Sequence, residues 1–400
     1  MEKPWVTEQW HVSPYDFIEE VTVPRRLPEE IIISDCTLRD GEQQPGVVLT
    51  KDDKVRLAHA LDEIGIHEIE AGWPAVSQDE REALKAITSA GLKANVRAVC
   101  RAIKGDIDMA IDCGLRSIVL SLPIGDLQVE YKLKWPEEKM IATMVELSNY
   151  AHEQGLYVVL SPFDTTRTNP DFLERYLKAV VTDGHVDRVR LVDTVGGATP
   201  LAIQYLVKKV LEITHRPIEI HCHDDFGLAT ANTLAGIEAG ASVASTVLNG
   251  MGERAGNAAT EEVALALRIL WGVDLGLNFE KLYQASLLLQ ELSNVPLQRH
   301  KAVVGENAFA QESGMVVSGY LENPFTAVAF LPEVVGQRAK VLIGKGSGRD
   351  VIRWKLGELG LTATDEQARD ITTRVKEEAE RTKSILSDEA FTRVARSVTG

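Results

Sequence analysis

A (β/α)8 barrel is the fold this sequence predicts, on three observations. Eight short β-branched runs alternate with amphipathic stretches, the alternation lasts about 240 residues, and the polar, chemistry-bearing residues gather just past the ends of the runs. The runs lie at 31–34, 67–71, 95–99, 117–121, 157–161, 186–192, 218–221 and 243–248. Between them, segments such as KDDKVRLAHALDEIG (51–65) and SQDEREALKAITSAG (77–91) repeat apolar residues at spacings of three and four and end on glycine, the pattern of helices with one buried face. A doubly wound open sheet is the alternative, but no G-x-G-x-x-G follows the first run.

Residues 1–29, with Pro4, Pro14, Pro24 and Pro28, read as an irregular arm suited to packing on another subunit. The barrel occupies 30–272. Residues 273–400 read as a mainly helical lid or dimerisation region, whose last helices begin at the cap-like TATDEQ (362–367).

Composition narrows the function. A hydrophobic content of 44% supports a sizeable core, and 59 acidic against 43 basic residues leave a net charge of -16 that opposes binding to nucleic acid or an anionic membrane. The partners expected are therefore small molecules and a second copy of the chain. Cys36, Cys100, Cys113 and Cys222 stand singly, which fits neither a disulfide framework nor a zinc ribbon and points to a reducing, cytoplasmic setting. No signal-like or membrane-spanning apolar run is visible.

In such a barrel the chemistry belongs at the C-terminal ends of the strands. The first run leads into Asp35-Cys36-Thr37-Leu38-Arg39-Asp40-Gly41-Glu42-Gln43, the sixth into Asp193-Thr194, the seventh into His221-Cys222-His223-Asp224-Asp225, and the eighth into 249–257. Residues two apart on a strand share a face, so His221 and His223 can present both imidazoles to one point, with Asp40 supplying the anionic ligand once the barrel closes. Mixed nitrogen and oxygen ligation of this kind suits Mg²⁺, Mn²⁺, Co²⁺ or Zn²⁺.

The run 38–43, with Lys54 eleven residues beyond Gln43, together with 218–227 (IEIHCHDDFG), resembles the two signatures of the isopropylmalate synthase and homocitrate synthase family, which belongs with HMG-CoA lyase to the metal-dependent barrels. The resemblance extends over about 30–350 through Ile69-Glu70-Ala71-Gly72, Asp193-Thr194-Val195-Gly196, Gly252-Glu253-Arg254-Ala255-Gly256-Asn257 and Gly344-Lys345-Gly346-Ser347-Gly348-Arg349. It implies Asp40, His221, His223 and Asn257 as metal ligands, Arg39 and Gln43 as catalytic residues, and Arg39, Glu70, Arg101 and Thr194 as contacts to a 2-oxo acid. Arg39 suits its role chemically, because a guanidinium can stabilise the alkoxide formed on attack at a polarised carbonyl. Glu70 has a purely structural reading as a barrel carboxylate, and Arg101 one as a surface cation.

Two departures from the family pattern stand out. Where the condensing members carry a Glu-Asp pair after strand 5, this chain has Phe163-Asp164, and where they carry a His in the tail it has Val316 within Glu312-Ser313-Gly314-Met315-Val316. Neither Phe163 nor Val316 can move a proton. Asp164 or Glu312 is the expected replacement base. The leucine-regulated members carry a further domain, and the layout here resembles the short homocitrate synthases of the nitrogen-fixation type. The leading expectation is a metal-dependent Claisen-type condensation of an acyl-CoA, most simply acetyl-CoA, with a 2-oxo acid. Cleavage of a 2-hydroxy acid by a metal-dependent lyase or aldolase is the alternative, and a barrel that binds without catalysing is a third.

Overall fold

The computed structural model describes residues 3–400, which divide into two compact units, one of 14–297 and one combining the N-terminal residues up to Ser13 with 298–400. The first unit is a closed barrel of eight parallel strands in sequential order: β1 Ile32–Asp35, β2 Glu68–Glu70, β3 Asn95–Arg101, β4 Ser117–Pro123, β5 Tyr157–Phe163, β6 Arg188–Asp193, β7 Ile218–Cys222 and β8 Val243–Thr246. Closure is made by β8 on β1, where Ile32 to Asp35 pair in register with Val243 to Thr246. Each strand is followed by a crossover helix that covers the outside, as parallel pairing requires.

Helix α1 (Lys51–Ile64) shows how local sequence sets these elements. Thr50 and Asp53 form a reciprocal capping box at its start, and Gly65 ends it in the left-handed region at φ 91°. Leu57, Ala58, Leu61 and Ile64 are its buried stripe. Helices α2 (Gln78–Thr88), α3 (Lys104–Asp112), α4 (Glu137–Glu153), α5 (Pro170–Asp183), α6 (Pro200–Thr214), α7 (Ala229–Glu238) and α8 (Thr260–Leu270) complete the ring. Helix α9 (Leu282–Ser293) packs on α1 within the same unit.

The lower interior is not the aliphatic filling usual in such barrels. Three arginines meet three glutamates there. Arg97 bridges Glu68 at 2.9 Å and Glu219 at 2.6 Å, Arg188 bridges Glu68 at 2.8 Å, and Arg190 bridges Glu219 at 2.6 Å and also Glu70. The charges balance, and Ser34 accepts a further hydrogen bond from Arg97 at 2.6 Å. These side chains are buried, so each charge is kept by its partners rather than by water.

In the second unit the arm's first residues pair with the C-terminal part of the same chain. Trp10 bridges Phe330, the His11 amide donates to the Ala329 carbonyl, and the Leu331 amide donates to the Gln9 carbonyl. Helices α10 (Gly314–Glu322), α11 (Arg349–Glu358), α12 (Asp365–Thr382) and α13 (Asp388–Thr399) share a core of Val317, Ile343, Ile352, Ile371, Val375 and Phe391. Thr364 and Gln367 form the capping box that starts α12. Among the described residues no helix is long and apolar enough to cross a membrane.

Candidate active site

Alternation along and just past β7 aims His221 and His223 at one point at the C-terminal mouth of the barrel, and the turn after β1 brings Asp40 to it. Their ligand atoms all lie within 4.8 Å of one another and are buried. Asp40 Oδ2 is 3.0 Å from His221 Nε2 and 3.8 Å from His223 Nε2. The Ser245 hydroxyl on β8 meets His221 Nδ1 at 2.9 Å, which fixes the imidazole and turns Nε2 toward Asp40. Cys222, between the two histidines, faces the other side of the strand and is fully buried.

The electrostatics favour a cation here. Burial raises the Asp40 carboxyl, but Arg39 and the two imidazoles outweigh it and hold the group well below the usual carboxylate range. Burial and the neighbouring His221 push His223 down to about 4, so its ring is neutral and has a lone pair to give. Asp40 Oδ1, His223 Nδ1 and Asn257 Oδ1 are buried without a hydrogen-bond partner. Such atoms are costly unless something satisfies them, and a divalent ion accepting mixed nitrogen and oxygen donors fits this set. Asn257 is aimed by its own amide, which donates to the Met251 carbonyl at 3.1 Å, and its backbone bridges His223. The loop before it requires glycine: Gly252 sits at φ 142°, and a Cβ there would come within 2.1 Å of Asn257 Nδ2.

Arg39 and Gln43 face the same cavity as the Asp40 cluster. Arg39 donates through Nη1 to Gln43 at 3.1 Å and through Nε to Glu70 at 2.6 Å. Burial opposes the charge on Arg39, yet Glu70 and Asp40 keep it protonated above its ordinary range. The cavity encloses about 600 Å³ and is walled on the far side by β3, β4 and β5.

Four expected site residues are placed differently. Glu70 does not line the cavity; its two oxygens are taken by Arg39 and Arg190, so it positions Arg39 from behind. Asp164, expected as a base, is fully buried, and both of its carboxylate oxygens accept from Arg167 at 2.9 and 2.8 Å. It too is absent from the cavity wall. Thr194 is buried at the end of β6 off that wall, and its hydroxyl oxygen accepts the Asp164 amide at 2.9 Å. Glu312 lies in the second unit, where its carboxylate accepts the Gly346 amide at 2.8 Å and fills space that a side chain at Gly344 would need. Arg101 does reach the cavity mouth, half-exposed and paired with Asp106 at 2.9 Å.

Sequence reasoning missed Glu253. With Asp40, it is one of the two carboxylates on the cavity wall. The signal the sequence carried is that Glu253 lies in the glycine-flanked run 252–257; in the structure its neighbour Arg254 is held at φ 59°, a left-handed position rare for a residue with a side chain.

Comparison with known proteins agrees with this architecture. The HMGL-like family model matches residues 30–289, and the model described as homocitrate synthase post-HMGL domain-like matches 303–383. The chain is 42% identical over 386 residues to the homocitrate synthase AksA of Methanopyrus kandleri, covering 96% of each. It is 44% identical to the (R)-citramalate synthase CimA of Methanocaldococcus jannaschii, covering 92% of this chain and 74% of that one. To the 2-isopropylmalate synthase of Sulfolobus acidocaldarius it is 42% identical, covering 90% and 94%. Among solved structures, the HMG-CoA lyase of Bacillus subtilis superposes with a TM-score of 0.62 at 21% identity over 68% of this chain and 96% of that one, a likeness of fold. The chain thus belongs to the HMGL-like family, in the branch of the isopropylmalate and homocitrate synthases.

Proposed function

We propose that this protein condenses an acyl-CoA, most simply acetyl-CoA, with a 2-oxo acid to give a 2-hydroxy di- or tricarboxylic acid. The observation that carries the reading is the convergence of Arg39, Asp40, His221 and His223 on one cavity in a chain 42% identical to a homocitrate synthase over almost its whole length. Asp40, His221, His223 and Asn257 would hold a divalent metal ion, which supplies Lewis-acid polarisation of the substrate carbonyl.

The protein's own groups account for the rest. Glu253 takes a proton from the carbon next to the thioester carbonyl, and the freed electron pair forms the bond to the 2-oxo carbon. The carbonyl π electrons move to oxygen, where the Arg39 guanidinium stabilises the negative charge. Water then hydrolyses the thioester and free CoA thiol leaves. Gln43 orients Arg39 from one side and Glu70 from the other. In this reading the protein works as a cytoplasmic homodimer, with the region beyond the barrel as dimerisation surface.

Cleavage of a 2-hydroxy acid without a thioester is the competing reading, favoured by Phe163 where a carboxylate base is missing. One experiment separates the two. Metal-loaded protein is mixed with acetyl-CoA and each of a set of 2-oxo acids, and free thiol is followed. Condensation requires thiol release that depends on both metal and one 2-oxo acid; metal-dependent cleavage of a 2-hydroxy acid with no thiol release under any pairing would overturn it. Glu253→Gln should suppress exchange of deuterium from methyl-deuterated acetyl-CoA while leaving bound metal unchanged, and persistent exchange would remove Glu253 from the role of base.

A further inference from the structure

We infer that the 2-oxo acid taken by this cavity carries an uncharged side chain of aromatic size, seated between Trp73, Trp135 and Phe163. The inference rests on the condensation reading and names the substrate class within it.

The cavity has two unlike sides. Arg39, Asp40, His221 and His223, from β1, β7 and the turns after them, form the side suited to a carboxylate and a carbonyl. Across the barrel stand β3, β4 and β5, and there the inward positions are Val99, Val119, Pro123 and Phe163, with Pro123 paired in register to Phe163. Trp73 follows β2 and Trp135 follows β4, and both reach the same wall. A volume of about 600 Å³ lies in the range of pockets that enclose ligands much larger than a three-carbon acid.

Charge decides against a side chain ending in a carboxylate. The cations lining this side are either committed or solvent-exposed, Lys132 among the latter although it stands over the Phe163 ring. Arg190 is held by Glu70 and Glu219, Arg101 is paired with Asp106 at the half-exposed mouth, and Lys132 is exposed to water. A carboxylate set among the rings would therefore lose its hydration without gaining a buried cation. Ser121 and Ser161, paired in register at the foot of the wall, are neutral and do not offset a full charge.

The rings are held in place for an aromatic guest. The Trp73 amide donates to Glu80 at 2.8 Å and its indole Nε1 to Asp106 at 3.3 Å. Arg101 covers the Trp73 ring at 5.4 Å, Lys132 the Phe163 ring at 5.8 Å and Lys139 the Trp135 ring at 3.9 Å. Cations on these faces fix ring orientation and leave the remaining ring surface for edge or offset contact with a substrate ring.

The test measures kcat/KM by thiol release from acetyl-CoA, using metal-loaded full-length protein with phenylpyruvate, 2-oxoisovalerate, pyruvate and 2-oxoglutarate. Phenylpyruvate should exceed 2-oxoisovalerate by about tenfold or more, since even one methylene in an apolar pocket is worth about that factor, and 2-oxoglutarate should be poorest. A preference for 2-oxoglutarate, pyruvate or 2-oxoisovalerate overturns the inference while leaving the condensation reading intact; thiol release with no 2-oxo acid at all overturns both. Phe163→Ala and, independently, the half-buried Trp135→Ala should each lower the ratio of phenylpyruvate to pyruvate kcat/KM by about tenfold. An unchanged ratio in a folded, metal-binding form of either variant counts against the aromatic wall.

Discussion

Glu70→Gln removes one negative charge from the barrel interior while keeping its volume. Glu70 is fully buried, with one oxygen 2.6 Å from Arg39 Nε and the other on Arg190, and Arg97 Nε lies 3.6 Å away. Burial raises its carboxyl, but Arg190, Arg39 and Arg97 outweigh burial and hold it well below the ordinary 4.5. A glutamine retains one acceptor and turns an NH₂ toward the second guanidinium, so donor faces donor. Breaking a buried ion pair costs about 3–5 kcal/mol. Arg190 keeps Glu219 and Arg39 keeps Gln43, which places the expected loss near the lower end, about 3 kcal/mol. Urea unfolding followed by fluorescence measures it, and the exposed Lys178 pair supplies a control, where Glu174→Gln should leave the unfolding midpoint nearly unchanged. The sign with pH follows from the depressed folded value. Native Glu70 binds fewer protons than unfolded Glu70, so its contribution is full above about 4.5 and is lost as pH falls through the folded value. The gap between wild type and variant should accordingly close on acidification. A loss below about 1 kcal/mol at pH 7, or a gap that widens in acid, would refute the view that Glu70 is held by these arginines.

The metal ligands are separable from their neighbour on the same strand: His221→Ala or His223→Ala should lower bound metal after dialysis, whereas Cys222→Ser should keep it, and wild-type stoichiometry in both histidine variants would remove the assignment. Ser245→Ala deletes the partner of His221 Nδ1 and should weaken metal binding by about 10- to 100-fold in a chelator competition, with an unchanged affinity contradicting a role in aiming the ring. Arg39→Lys should retain metal and lose most turnover, because an ammonium cannot span Glu70, Gln43 and the substrate oxygen at once; a near-normal kcat excludes Arg39 from charge stabilisation.

Much of this protein was legible in one dimension because the signals are local. Strand and helix periods, capping residues and glycine stops locate the eight βα units to within a few residues, and a two-residue spacing on one strand is enough to bring His221 and His223 to the same face. Closure of the sheet then obliges Asp40 on the turn after β1 to stand near β7 and β8. What tertiary structure alone decided is which carboxylates are free. Asp164 and Glu253 look alike in sequence, each followed within three residues by an arginine, but Arg167 takes both oxygens of the buried Asp164, while the glycine-flanked loop delivers the half-exposed Glu253 to the cavity with Arg254 only as near as 3.6 Å. Glu70 reads equally well as a ligand or a strut until the arginines of β3 and β6 are seen around it, 120 residues away in the case of Arg190. Phe163 likewise reads as a missing acid until Pro123, Trp73 and Trp135 are found on the same wall. The reason is physical: backbone propensity and side-chain alternation act over a few residues, whereas the availability of a charge depends on partners that only barrel closure brings within hydrogen-bonding distance.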